Sequence, residues 1–481
     1  MTVSHILDVF ESPVAERLRQ FIRQRREHWK AGAPDFETFE GELHAQLMEL
    51  ERELVATELR RYDVDAEAIE VGGVRYRQVL TSPETYLSAA GPVRVERRLY
   101  RPAGHNAPSV CPLELRAGLI AGHWTPRAAR LGAFVVAQLT PGETETLFEE
   151  LGAMQPSRSA LDRLPRDLSQ RWEARRVEWE DALRSQESIP AGAATMALSV
   201  DGVLAPMKAE ASQRQAKQTE AGKHASGPAG YREVGCGTVS VYDHQGERLQ
   251  TIRVARMPER NKLTVQAQLR AELAALLAGG PDLRLVFLAD GARGNWTLLT
   301  EIAQSLGIPP SAYHVIVDFF HACDHLKQGC DAIWGEGTSR GQAEFVRLKT
   351  LLKEDERGAE HIRRVFKYQS TRLTGNRRQR LQAERTYFRN QKPRMAYAEY
   401  QRHQLPIASG VVEAACKTLV TQRLKRSGMA WSPAGGQAIL TLRSLIQSDR
   451  WSRAWAWLAA DFRQPVMTLT NVDYDSLPLA A

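Results

Sequence analysis

The sequence predicts an α/β fold, a mixed sheet flanked by helices, from three observations. Between residues 196 and 317, strand-length apolar runs alternate with stretches of helical period, several of those runs end on an aspartate, and no apolar run is long enough to cross a bilayer. With 481 residues, 43% hydrophobic and 25% charged, the chain can bury a large core and is expected to form several domains. Residues 1–21 lack the apolar middle of a signal peptide, so neither a membrane nor a secreted protein is expected. Five cysteines (Cys111, Cys236, Cys323, Cys330, Cys416) form an odd set with no CxxC spacing, which argues against a disulfide framework and for a reducing cytosol. Cys111 stands alone, so no zinc module is expected. The 64 Lys+Arg against 57 Asp+Glu leave +7, which permits an acidic partner such as nucleic acid without requiring one.

Taken in order, Phe36, Leu43, Leu47, Leu50 and Leu54 fall on one helical seam. That seam fits pairing of protomers or packing within its own domain. From Val74 to Tyr100 the period becomes two around Gly91-Pro92, which predicts a small hairpin whose alternating arginines fit a solvated face as well as a DNA contact. Residues 112–185 return to helices, with breaks at Thr140-Pro141-Gly142 and Gln155-Pro156-Ser157. Ser157 as N-cap, followed by Arg158, Arg163 and Arg166, has the rhythm of a helix-turn-helix, although an ordinary helical hairpin fits too.

Residues 196–200 read as a strand that stops at Asp201-Gly202, or that residues 203–207 carry past it. After a polar loop at 210–230 come strands at 231–242 and 249–254, joined at Asp243-His244-Gln245-Gly246. A helix (263–277), a strand (283–289) ending at Asp290-Gly291, a helix (295–306) and a strand (313–317) ending at Asp318 follow. Three antiparallel strands, then helix, strand, helix, strand, helix, is the order of an RNase H-like fold, in which the first strand is central and the later ones join it in parallel.

Asp201, Asp290 and Asp318 thus fall at the ends of core strands, which in an open α/β sheet face one crevice. One Asp-Gly is an ordinary turn; three on one sheet edge suit metal-assisted phosphoryl transfer. Hard cations such as Mg²⁺ take oxygen ligands, and a pair of them about 3.5–4 Å apart stabilises both attacking and leaving oxygens. Two aspartates supply too little, and Glu413 in the downstream segment 409–417 offers the third carboxylate.

The segments SVDG (199–202), LADGARGNW (288–296), DFFHACDHL (318–326) and GVVEAACKTLVTQRLKRSGMAW (410–431), in that order, resemble a bacterial insertion-sequence transposase of the DDE group, most similar to the ISKra family. They cover most of residues 195–445. The resemblance implies that Asp201, Asp290 and Glu413 are the catalytic, metal-holding triad, with Mg²⁺ as cofactor and Mn²⁺ as a substitute. It implies that Asp318 and His321 match an accessory Asp-x-x-His pair, and that the RNase H-like core is interrupted by a helical insertion. The implied partners are double-stranded DNA, as terminal inverted repeats and target, and further copies of the chain on that DNA. The implied setting is the bacterial cytoplasm, at the nucleoid when bound.

From Asp290 to Glu413 is about 123 residues, too long for simple connections of roughly two to six residues. The excess, 334–405, reads as helical and polar. Its latter part, 372–402, holds nine Lys/Arg, including Arg377, Arg378 and Arg380, against Glu384 and Glu399, with Tyr387, Phe388, Tyr397 and Tyr400 interleaved. A solvated face and a DNA track both fit, and the aromatics favour the track. That stretch alone carries +7. Glu413, Lys417, Val420 and Leu424 would share one face of a continuous α-helix, putting Lys417 one turn beyond the carboxylate for a DNA phosphate or a plain Glu-Lys pair. Arg423, Lys425 and Arg426 extend the candidate DNA surface. Trp296 and Trp431 are expected to pack, and His321 fits a structural or an accessory role.

The expected organisation is an N-terminal helical segment with a hairpin (1–103), a helix-turn-helix-like DNA-binding region (104–190), the core (191–333), the basic insertion (334–405), the glutamate helix (406–450) and a C-terminal helix and tail (451–481). The expected activity is Mg²⁺-dependent cleavage at element ends and strand transfer; the alternative is a catalytically silent DNA-binding protein of the same fold. A sugar-kinase or actin-like ATPase would need a Gly-rich phosphate loop near Asp201, which the sequence lacks.

Overall fold

The computed structural model describes residues 13–31, 35–102, 108–208, 230–279 and 282–469. Most of the polar loop at 210–230 lies outside these described residues. Two compact units result, residues 1–176 with 451–481, and residues 177–450.

The first unit opens with α1 (Pro13–Ala31) and α2 (Phe36–Arg60), where Phe21 stacks on Phe39 at 6.0 Å and the Asp35 carboxylate caps α2 by accepting from the Thr38 N–H at 3.0 Å. The predicted seam on α2 is only partly covered: Phe36 is 66% exposed and Leu47 43%. Strands β1 (Ala68–Val71), β2 (Val74–Ser88) and β3 (Gly91–Pro102) pair antiparallel. Two arginines of β3 are tied in ion pairs, Arg97 with Glu84 and Glu114, and Arg98 with Asp63 and Asp65. Helices α3 (Pro112–Ala117), α4 (Pro126–Gln138), α5 (Pro141–Glu150) and α6 (Arg158–Ala174) follow. A Thr140–Glu143 capping box starts α5, and the Ser157 hydroxyl accepts from the Ala160 N–H at the start of α6.

The second unit begins at the first turn of α7 (Arg176–Ser185) and continues with β4 (Ala193–Pro206), β5 (Tyr231–Asp243), β6 (Arg248–Arg256), α8 (Leu263–Ala278), β7 (Arg284–Ala289), α9 (Arg293–Ser305), β8 (Tyr313–Val317) and α10 (Phe319–Trp334). The sheet order is β6-β5-β4-β7-β8, with β4, β5 and β6 antiparallel and β7 and β8 parallel to β4, so the first strand is central. Neighbouring residues of a strand feed opposite faces: Val254 joins a cluster with Leu198, Val265 and Leu269, and Ala255 one with Cys236, Val412 and Leu419. The stretch read as an insertion is helical, α11 (Ser339–Glu354), α12 (Gly358–Ser370), α13 (Gly375–Gln391) and α14 (Tyr397–Arg402). Then come α15 (Gly410–Ala415), a π-helical segment (Cys416–Thr421), α16 (Gln422–Leu424) and α17 (Pro433–Gln447).

The chain re-enters the first unit with α18 (Trp451–Asp461), whose Asp461 pairs with Arg171 and Arg175, and with β9 (Met467–Leu469), which adds antiparallel to β1. Hence that region, expected to be mostly helical with one hairpin, carries a four-stranded sheet, order β3-β2-β1-β9. A three-residue strand is too short to show a period in sequence, which is why 451–481 read as a helix and tail.

Candidate active site

Asp201 lies within β4. Parallel pairing with β7 stops at Ser199–Leu288, while antiparallel pairing with β5 runs on through Asp201–Cys236 to Pro206–Tyr231. The aspartate therefore sits where the central strand has lost its parallel neighbour. The Gly202 N–H donates to its Oδ1 at 2.7 Å, and the Cys416 thiol, 3.6 Å away, donates to its Oδ2. Burial first, and the charge of Asp290 next among the raising effects, push the Asp201 carboxyl above its ordinary range.

Asp290 directly follows β7. Its Oδ1 accepts from the Ala292 N–H at 2.9 Å and from Asn295 Nδ2 at 3.1 Å. Gly291 takes a φ of +96°, open to glycine, and its carbonyl accepts from Gln391 Nε2 of α13 at 3.0 Å.

Asp318 follows β8 but is fully buried. One carboxylate oxygen accepts from the His321 N–H at 2.6 Å, capping α10, and the other from the Ser409 N–H. The Ser409 hydroxyl in turn donates to Glu413 Oε1 at 3.1 Å. Asp318 thus fastens the start of α10 to the approach to α15, and both of its oxygens are committed to that task.

Glu413 stands at the surface of α15; partial desolvation, then the charges of Asp318 and Asp201, raise its carboxyl. The charge of Asp290 reaches Asp201 and that of Asp201 reaches Glu413, so the three share one edge. They do not close on each other: among the described residues no three His, Cys, Asp or Glu side chains converge as a metal-holding group.

The glutamate helix departs from the continuous α-helix expected. After Ala415 it widens to a π segment, whose Thr418 carbonyl accepts from Arg443 Nε at 3.1 Å. As a result Glu413 and Lys417 are exposed while Val420 and Leu424 are buried, and the four do not share a face.

His321 is half-buried, edge-on to His325 at 5.0 Å. His325 pairs through Nδ1 with Glu384 at 2.6 Å and stacks on Tyr387 at 3.6 Å. Glu384, Tyr387 and Gln391 occupy i, i+3 and i+7 of α13, so the helix read as a DNA track turns one face toward the carboxylate edge. The Tyr387 hydroxyl is raised by burial and by the charges of Asp290 and Asp318.

Several candidate DNA contacts change status. Arg423 is 2% exposed and lies 5.3 Å from the Trp431 ring, so it belongs to the core. Arg377 donates to the carbonyls of Ala332 and Ile333 at 2.8 and 2.6 Å, closing the end of α10. Phe388, Tyr397 and Tyr400 are buried, because amphipathic helices put their aromatics inward, and cannot serve as stacking platforms. Arg378, Arg380, Lys417 and Lys425 are exposed, and Arg426 is half-buried. Both tryptophans pack as expected: Trp296 is 7% exposed beneath Arg394, and Trp431 Nε1 donates to the Leu424 carbonyl at 2.9 Å. Sequence reasoning put Glu384 and Tyr387 in the basic track instead of beside the carboxylate edge, and gave no role to Ser409, Lys262 or Asn295. Only the i, i+3, i+7 spacing on α13 offered a signal.

No family model matches the chain, and no curated protein matches it. Among solved structures, the Drosophila P element transposase strand transfer complex aligns at 13% identity over 71% of this chain and 82% of that one. Its TM-score of 0.25 is too low to support an argument from it. The likeness to the ISKra family accordingly rests on the four quoted segments. No helix among the described residues is long and apolar enough to cross a membrane.

Proposed function

We propose that this chain is a DNA transposase with an RNase H-like core, cleaving at the ends of an insertion sequence and joining them to target DNA. The observation that carries the reading is the sheet edge: Asp201 lies on the central strand, Asp290 directly follows its parallel neighbour, and the Glu413 helix comes to the same edge, where the Cys416 thiol meets Asp201. The donor set suits a hard divalent cation. Asp290 Oδ2 accepts no hydrogen bond from the described residues, Asp201 Oδ2 meets only a weak thiol donor, and like charges held together favour a cation between them. Asp201 and Asp290 would hold Mg²⁺, or Mn²⁺ in its place, with Glu413 as third carboxylate, and a cation held there would supply a lowered pKa for water and offset charge at phosphorus.

The chain's own residues do the positioning. Asp318 fixes Ser409, and Ser409 orients Glu413. Exposed Lys417 and Lys425, beside the carboxylate edge in sequence, would meet DNA phosphates, as would Arg378 and Arg380 on α13. Cleavage frees a 3′ hydroxyl, which serves as nucleophile in strand transfer, so no covalent protein intermediate is required.

In purified full-length protein with DNA carrying the inverted repeats that flank its coding region, Mg²⁺-dependent nicking is expected, and Asp290→Asn should abolish it while end binding persists. Undiminished nicking by that variant would overturn the assignment of Asp290. Tight end binding without nicking by the unaltered protein would identify the catalytically silent alternative.

A further inference from the structure

A second set of side chains stands behind the carboxylate edge. Lys262 Nζ donates to Glu233 at 2.8 Å, to Asn295 Oδ1 at 3.1 Å and to the Asp201 backbone carbonyl at 3.4 Å. Asn295, 6% exposed, passes the contact on through its amide to Asp290 Oδ1.

The backbone is bent to deliver this lysine. Asn261 and Lys262 take φ of 54° and 53°, consecutive left-handed residues neither of which is glycine, at a cost of roughly 1–2 kcal/mol for Lys262. Lys262 occupies the N-cap position of α8 without capping it; Glu259 does so instead, accepting from the Thr264 and Val265 N–H groups at 2.9 and 3.1 Å. The sheet makes room as well. Gly202 and Gly235 are cross-strand partners on β4 and β5. A Cβ at Gly202 would fall 1.9 Å from the Glu233 carboxylate, and one at Gly235 3.3 Å from the Lys262 stem. Strained backbone held in place by its surroundings, beside candidate catalytic groups, points to a positioning task.

We propose that Lys262, anchored by Glu233, is a positioning residue that fixes Asn295 and through it Asp290, whose second oxygen accepts no hydrogen bond from the described residues. The proposal rests on the reading of Asp201 and Asp290 as the cation-holding pair. Outer partners of ligating groups change metal affinity by about 10–100-fold when removed.

Two measurements on the full-length protein test it: Mn²⁺ binding, followed by the electron paramagnetic resonance of free Mn²⁺, and Mg²⁺ titration of end-DNA nicking. Lys262→Met and Asn295→Ala should raise the half-saturating concentration of both ions about tenfold or more. Maximal nicking at saturating Mg²⁺ should fall far less, a split that general loosening of the fold would not give. Glu233→Gln, at a side chain 53% exposed, tests the anchor should Lys262→Met fold poorly, and should shift the ions the same way. Unchanged Mn²⁺ binding in Lys262→Met and Glu233→Gln, with Asp290→Asn defective, overturns the positioning role and leaves the catalytic reading standing. Absence of both Mn²⁺ binding and nicking in the unaltered protein overturns both.

Discussion

Asp290 and Asp318 each stand one residue beyond a parallel strand of the same sheet, yet their surroundings differ completely. Asp318 has no exposed surface and gives both oxygens to backbone N–H groups. Asp290 gives one oxygen to Ala292 and Asn295, while the other accepts no hydrogen bond from the described residues. A carboxylate whose lone pairs are filled by the fold is a fastener, and only one with open lone pairs can serve a cation or a proton. Position on the sheet edge is therefore necessary for chemistry but does not assign it.

The contrast can be broken by exchanging amide for carboxylate at each position. Asp290→Asn should lower nicking by about 10²–10³-fold or more with little change in urea stability. Asp318→Asn puts an NH₂ group against backbone donors and should cost about 2–4 kcal/mol, read from the urea midpoint. If both variants lose activity and both stay stable, the division between fastener and open carboxylate fails.

The same division applies to the cations of the glutamate segment. Arg423→Ala should cost about 2–4 kcal/mol, because a buried packed side chain is lost, and should leave the salt dependence of DNA binding unchanged. Lys425→Gln should weaken DNA binding and lower the slope of log affinity against log salt by about 0.9, with stability intact.

Asp201 sharpens the comparison through pH. Burial and Asp290 raise its carboxyl in the folded state, so folding favours the protonated form. The stability it contributes is complete below the ordinary aspartate range and is lost as pH rises through the raised value. Asp201→Asn should accordingly melt higher than the unaltered protein at neutral pH without divalent cation, with the gain vanishing below about pH 4. A pH-independent difference would contradict this cause. The smallest effect expected is at the strained turn: Lys262→Gly relieves the left-handed backbone but leaves Asn295 Oδ1 without its donor, so urea stability should change by less than about 1 kcal/mol while Mn²⁺ binds more weakly.

Much of this was legible because it depends on local pattern. Apolar runs ended by Asp290 and Asp318 marked β7 and β8, and the order of elements gave the central place of β4. What was not legible depends on contacts distant in sequence. Nothing local separates Asp318 from Asp290; the difference lies in the Ser409 N–H, 91 residues away. The Arg372–Arg402 stretch read as a DNA track because cations and aromatics alternate in it, whereas packing sends Phe388 and Tyr397 inward and ties Arg377 to α10. Lys262 gave no sign because its left-handed turn lacks the glycine that marks such turns.

The wide turn after Glu413 has a consequence for aim. In an α-helix each residue advances the side chain by about 100°, so the bearing of a residue relative to the buried stripe further along is fixed by the number of residues between them. The π segment holds more residues per turn, offsetting the phase of Glu413 against buried Leu419, Val420 and Leu424. Closing Cys416–Thr421 to regular α pitch with all six residues kept would swing the carboxylate about 100° off the sheet edge, whereas removing one residue at the same time would restore its bearing. Glu413 is pointed at its neighbours by a count.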